Sequence, residues 1–261
     1  MSTIKSIYLH NPTPTQLERI LRYMLRGGYR FLNIDELYCY LTGCNAIKGR
    51  LAFLSFDDAW RSNLQLIPII ERFNVPITIF APTEPLESGN YWWEYVPREE
   101  REGVKRLCYA DFCKRIDKAR SKTHLERSCM TADEIKALAN HPLVSIQSHT
   151  ITHPILTAMP DDLAEKEIKE SKERLETIIG REVNYFSYPN GSYREREVKV
   201  ARNTYRMAFT TDLHYIARHN DLLALPRIEL TGRFYRDLLK LYNVWPILRK
   251  IGCALLGKPQ Y

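Results

Sequence analysis

Apolar residues recur along the chain in two alternating rhythms. Short unbroken runs alternate with stretches in which apolar side chains return every three or four residues, the first pattern suiting buried strands and the second amphipathic helices. Ser6–Leu9 reads as a short strand. Thr15–Arg26 reads as a helix carrying Leu17, Ile20, Leu21, Met24 and Leu25 on one face, stopped by Gly27-Gly28. Asp35–Leu41 predicts a second helix, and Leu51–Phe56 a strand covered on both faces. Asn63–Phe73 predicts a helix that Pro68 either kinks or starts. Val75–Ala81 is rich in β-branched residues and predicts a strand. Thr131 and Glu134 form a capping-box pattern before a helix reaching about Ala139, followed by a strand over Leu143–Gln147. Asp161–Ile179 predicts a long helix closed by Gly180, with Leu163, Ile168, Leu175, Ile178 and Ile179 as its stripe. Tyr185–Tyr188, Glu195–Asn203, Met207–Thr210 and Leu223–Arg227 complete the series as strand, helix, strand and strand. Strands alternating with helices imply an α/β fold around a parallel sheet.

One segment breaks the rhythm. From Thr83 to Met130 no strand is predicted, and the aromatic group Tyr91-Trp92-Trp93-Glu94-Tyr95 falls inside it. This reads as an insertion at about 83–130, large enough to wall a cleft. The aromatics fit a local core, with one ring turned to the cleft.

The charge balance, 38 basic against 31 acidic residues, is a net +7. Basic residues are scattered among acids, with no paired-cysteine finger or Lys/Arg block, so no nucleic acid partner is expected. None of the six cysteines forms a C-x-x-C pair, and Met1–Ser6 lacks the apolar core of a signal peptide. The expected location is therefore cytoplasmic, with reduced thiols. Residues 232–261 read as a basic amphipathic helical extension of a barrel spanning 1–231, with Arg233, Arg236, Lys240, Arg249, Lys250 and Lys258 against the single acid Asp237. Such a stretch can give peripheral membrane contact. Packing on the barrel is the commoner outcome for an amphipathic helix and is the reading preferred.

The chemistry-bearing residues fall at the ends of predicted strands, where parallel α/β barrels build their active sites. Asp57 and Asp58 end the Leu51–Phe56 run, and His149 and His153 follow the Leu143–Gln147 run. Adjacent carboxylates repel unless a cation or a distinct role separates them. Consecutive strand-end residues also point different ways, so one can hold a metal while the other faces water. A plainer reading makes the first Asp a helix cap and the histidine pair a coincidence. Together, one carboxylate and two imidazoles suit a divalent metal, zinc or a similar first-row ion.

Phe56-Asp57-Asp58, His149-Thr150-Ile151-Thr152-His153 and Phe186-Ser187-Tyr188-Pro189-Asn190-Gly191 resemble, in order and spacing, the first three motifs of the polysaccharide deacetylases, the NodB-homology group or carbohydrate esterase family four. The resemblance runs over about residues 5–230. It implies a distorted, TIM-barrel-like (β/α) barrel with fewer than eight strands, and metal-dependent removal of an N- or O-acetyl group from a sugar of a polysaccharide or glycan precursor. It matches Asp57 to the catalytic base and Asp58, His149 and His153 to the ligands of a divalent metal, with zinc expected and cobalt, nickel or manganese as substitutes. It places Tyr188, Pro189 and Asn190 in the loop that helps hold the oxyanion.

Three departures stand out. Ser187 occupies the position where the family often has an Arg that orients the base. Leu225-Pro226-Arg227 replaces the usual Leu-x-His that carries a general acid, a form common in members with a Tyr-Pro-x-Gly third motif. Ala59 replaces the usual Gly after the Asp pair. A cation at a strand end where the family's partner is absent leads to the expectation that Arg227 pairs with Asp57, against the plainer reading of a surface ion pair. His214 and His219 are candidate acids, each more simply a solvated loop residue. Two rival functions follow: an amidohydrolase acting on a small non-sugar C–N bond, and a glycan-binding barrel without catalysis, the latter motivated by the absent Arg and His.

Overall fold

Leu51–Phe56 lies inside the central strand of a computed structural model that describes residues 3–242 and 244. The described strands are β1 (Ile4–Leu9), β2 (Tyr29–Leu32), β3 (Arg50–Asp57), β4 (Ile77–Ala81), β5 (Val144–Ser148), β6 (Tyr185–Ser187), β7 (Met207–Phe209) and β8 (Ile228–Glu229). The helices are α1 (Pro14–Arg26), α2 (Ile34–Leu41), α3 (Ile67–Phe73), α4 (Thr83–Ser88), α5 (Arg101–Lys105), α6 (Tyr109–Arg120), α7 (Ala132–Ala139), α8 (Asp161–Ile179), α9 (Glu195–Thr204) and α10 (Phe234–Leu241).

Seven strands form one continuous parallel path, β7-β6-β5-β4-β3-β1-β8, and β2 stands off it. One edge of β3 is shared: β2 pairs with Arg50–Phe53, and β4 takes over from Ser55 to Asp57. The sheet curls into a distorted barrel with fewer strands than the eight of a closed (β/α) barrel. The segment after β7 spans the gap back to β1. Thr210 N–H and Leu225 N–H bond to Leu225 O and Ala208 O, and Ile216 exchanges two backbone bonds with Ile4.

Alternation along each strand separates two cores. On β3, Ala52, Leu54 and Phe56 face the helices, while Leu51 and Phe53 face the barrel interior with Phe80, Tyr185, Met207 and Phe209. The same parity carries Ser55 and Asp57 on the inner face toward the open end, and Ser187 continues the inner row of β6.

Several boundaries differ from the pattern-based expectation. β2 was not anticipated, because four residues squeezed between Gly28 and the Asn33 cap are too few to display a period. Pro68 starts α3 rather than kinking a longer helix, and the residues before it form a 3-10 turn over Arg61–Leu66. The last strand is Ile228–Glu229, not Leu223–Arg227: Pro226 has no N–H for a ladder, and the preceding residues bridge to β7 instead.

Residues 83–130 contain α4, α5, α6 and 3-10 turns, with a small core of Trp92, Val96, Val104 and Ile116. α10 lies beside α1 and β8, burying Leu241; Lys240 Nζ donates to Glu229 Oε2 at 3.2 Å, and Lys5 Nζ donates to Leu241 O. The rest of the C-terminal stretch, residues 243 and 245–261, lies outside the described residues. Among the described residues, no helix is long and apolar enough to cross a membrane.

Candidate active site

The C-terminal ends of β1, β3, β5 and β6 open into a cleft of about 600 Å³ that contains Asp57, Asp58, His149, His153 and Asn190. Its backbone is unusual. Asp58, Ala59, Thr150, His153 and Asn190 all have φ between 54° and 75°, a left-handed conformation costly for residues with a Cβ. Such strain concentrates where a fold over-determines a functional loop. At Ala59, φ 59° accounts for the glycine usual at this position in the resembled family.

The two aspartates part company as β3 ends. Asp57 stays on the inner face, 3% exposed, and meets Arg227 in a two-pronged pair at 2.7 Å for each prong. Arg227 is fully buried. Its guanidinium also donates to Ser55 Oγ at 3.1 Å, Ser187 Oγ at 2.8 Å and Thr210 O at 3.0 Å, and lies 4.3 Å from the Tyr8 ring centre. Small Ser187 leaves the space that the Arg227 head fills. Burial alone would raise the Asp57 carboxyl, but the Arg227 charge beside it outweighs burial and brings the pKa down to about 2.

Asp58 turns the other way. Its Oδ1 lies 3.3 Å from His153 Nε2 and 3.6 Å from His149 Nε2, is buried, and has no hydrogen-bond partner. Its Oδ2 accepts from Trp60 Nε1 at 3.1 Å, and its carbonyl accepts from the Tyr91 hydroxyl at 2.6 Å. His149 Nδ1 faces Ser187 O at 2.7 Å. That carbonyl can only accept, so Nδ1 carries the proton and the Nε2 lone pair points at Asp58. Burial lowers the imidazoles to about 4 at His149 and about 3 at His153, so both are neutral at ordinary pH.

These three side chains form the group among the described residues whose ligand atoms, all within 4.8 Å of one another, could hold a metal ion. Donor atoms on one tetrahedral zinc stand about 3.3–3.5 Å apart, given bonds of about 2.0–2.2 Å. The observed separations and the orphaned Asp58 oxygen therefore fit a cation of that size.

The histidine loop is anchored from behind. Buried Glu167 on α8 accepts from Ile151 N–H at 2.8 Å, Thr152 N–H at 2.9 Å and the Thr152 hydroxyl at 2.7 Å, while Trp92 Nε1 donates to His153 O at 2.9 Å. Glu167→Ala leaves those donors unanswered. A loss of about 2–4 kcal/mol is expected, read as a fall of about 5–15 °C in the thermal midpoint; an unchanged midpoint contradicts the anchor role.

The motif turn over Pro189–Gly191 holds itself through Gly191 N–H and Ser192 N–H, which bond to Tyr188 O and Pro189 O. A Cβ on Gly191 would lie 2.0 Å from Thr211 Oγ1, so glycine is required there. Asn190 reaches the cleft. Tyr188 immediately precedes the turn and its side chain does not line the cleft: it is fully buried, with its hydroxyl on Leu223 O at 3.0 Å.

His214 and His219 are exposed and do not line the cleft, whereas His10, immediately after β1, does. Its position at a strand end was the available signal, but a single histidine there carries no spacing to mark it. Trp60 went unread for the same reason. Trp92 and Trp93 line the wall opposite, the Trp93 ring 4.7 Å from that of His153.

The sequence profile described as Polysaccharide deacetylase matches residues 45–208. The chain is 23% identical over 218 residues to YxkH of Bacillus subtilis (strain 168), a protein named for the polysaccharide deacetylases; the match covers 83% of this chain and 64% of that one. Among solved structures it is similar to the Streptococcus pyogenes deacetylase PplD in complex with acetate (TM-score 0.70, 21% identity, covering 92% of this chain and 97% of that one) and to IcaB from Ammonifex degensii (TM-score 0.70, 17% identity, 91% and 96%). At these identities the structures establish the fold. The profile takes in Asp57, Asp58, His149, His153 and Asn190; His10 and Arg227 lie outside it.

Proposed function

Because the chain belongs to the polysaccharide deacetylase family, we propose that it is a metal-dependent hydrolase removing an N- or O-linked acetyl group from a sugar of a polysaccharide or glycan precursor. The observation that carries the reading is the division of labour between neighbouring carboxylates: Asp58 faces two neutral imidazoles with an unsatisfied oxygen, and Asp57 is held ionised by Arg227 within the same cleft.

Asp58, His149 and His153 would hold the cation, with zinc the best fit and cobalt, nickel or manganese as substitutes. A bound divalent ion polarises an acyl carbonyl and acidifies water. Asp57 accepts the proton of the attacking water. Paired with Arg227, it is a weak base that stays ionised at every working pH, and Arg227 fixes its orientation. The Asn190 N–H, offered by a turn whose own bonds come from Gly191 and Ser192, donates to the developing oxyanion. Charge on the leaving nitrogen or oxygen needs a proton, and His10 is the imidazole of the cleft that ligates nothing. Trp93 and Trp60 offer apolar faces to sugar rings.

The acetate named with the S. pyogenes deacetylase is the product this reaction would release. The reading of a non-catalytic barrel loses one of its two motives, since Arg227 brings to Asp57 the guanidinium that is absent at Ser187.

The test is acetate release from acetylated oligosaccharides, measured against pH for the wild-type chain and for His10→Gln. The expected result is metal-dependent release, with kcat about a hundredfold lower in His10→Gln and unchanged metal content. Glycan binding without acetate release overturns the proposal; a full rate in His10→Gln removes His10 as the acid.

A further inference from the structure

We propose that the helical wall of the cleft reads an anionic group, a phosphate or a carboxylate, carried by the acetylated glycan. The inference rests on the deacetylase reading of the cleft and narrows its substrate class.

Arg98, Arg101, Glu102 and Lys105 line the cleft from the wall that also presents Trp92 and Trp93. Lys105 and Glu102 pair at 2.9 Å and cancel. Arg101 donates Nε–H to Val96 O at 3.2 Å, which fixes the head of the side chain and leaves its terminal nitrogens unengaged by that bond. Among the described residues, neither Arg98 nor Arg101 has a carboxylate within ion-pair distance. On the same segment Arg115 pairs with Glu100 at 2.5 Å and Arg120 with Glu84 at 3.2 Å. Across the cleft, Glu229 is answered by Lys240 at 3.2 Å. Two guanidinium groups therefore face the cleft without a protein counter-charge.

Guanidinium groups can donate to neutral sugar hydroxyls, but a pair left without carboxylates binds an anionic ligand more strongly, because charge-assisted bonds are about twice as strong as neutral ones. The planar fork of a guanidinium donates in parallel to two oxygens of a phosphate or a carboxylate and binds both more specifically than an ammonium does. Cations along a cleft wall also draw an anionic ligand in. The wall thus adds a charge requirement to the acetyl-group chemistry of the floor.

The experiment titrates the metal-loaded full chain, following tryptophan fluorescence, with three probes: N,N′-diacetylchitobiose, its 1-phosphate, and the N-acetylglucosamine–N-acetylmuramic acid disaccharide. At least one charged probe is expected to bind about tenfold more tightly than the neutral one, as two partly exposed ion pairs allow. Whichever charged probe gains more identifies the anion. The gap is expected to narrow in 0.5 M salt and to fall to within about twofold in R98Q/R101Q, while R106Q, which removes an exposed charge outside the cleft, preserves it. Equal affinities for all three probes, or a gap that R106Q removes as fully as the double variant, overturns the inference. Acetate release is followed in parallel: tight, arginine-dependent binding without release keeps this inference and sinks the deacetylase reading instead.

Discussion

Replacing Arg227 by alanine is expected to lower acetate release about a thousandfold and the stability of the fold by about 3–5 kcal/mol. The guanidinium is fully buried and answers Asp57, Ser55, Ser187 and Thr210 at once. Its loss leaves a buried carboxylate without a counter-charge, and that carboxylate then takes up a proton. Asp57, now at about 2 because the Arg227 charge outweighs burial, would shift upward, and the acidic limb of the rate profile would move to higher pH with it. The sign for stability follows. A carboxyl depressed from 3.8 to about 2 stabilises the native state above pH 4, and that contribution fades as pH falls toward 2. In R227A the fade is absent. R227K keeps the charge but not the two-pronged geometry, and is expected to recover folding ahead of turnover. Full turnover in R227A would show that Asp57 does not depend on this partner.

Removing the metal with a chelator is expected to reduce acetate release below about 0.1% of the loaded protein, since both the acidified water and the polarised carbonyl are lost. Restoring zinc should restore the rate. The same treatment should lower the thermal midpoint, because an ion binding the native state at a thousand times its Kd contributes about 4 kcal/mol. Activity and midpoint that both survive chelation would contradict a metal held by Asp58, His149 and His153.

The residues of this site differ in how far the chain alone disclosed them, and the difference is physical. Asp57, Asp58, His149 and His153 were legible because each pair sits at the end of an apolar run, and a parallel sheet brings such ends to one rim. The long helix Asp161–Ile179 was legible to the residue, since its stripe, its acidic first turn and Gly180 agree. Arg227 was named from the resemblance, but its complete burial was not readable: a long cation after Leu-Pro reads as surface until Ser187 is seen to vacate the space beneath Asp57. His10 carried only its strand-end position as a signal, because its role depends on β1 lying next to β3, a pairing between residues 47 apart in sequence. β2 was missed for want of length. The helical wall was legible as an insertion able to wall a cleft, but its arginines were not, because they acquire meaning from which of them the fold leaves without a carboxylate.

Metal analysis of purified wild-type chain beside Asp58→Ala decides whether Asp58 holds the ion. About one divalent ion per chain is expected in the wild type and almost none in Asp58→Ala, with the fold of the variant intact by circular dichroism. Equal metal in the two proteins would contradict Asp58 as a ligand.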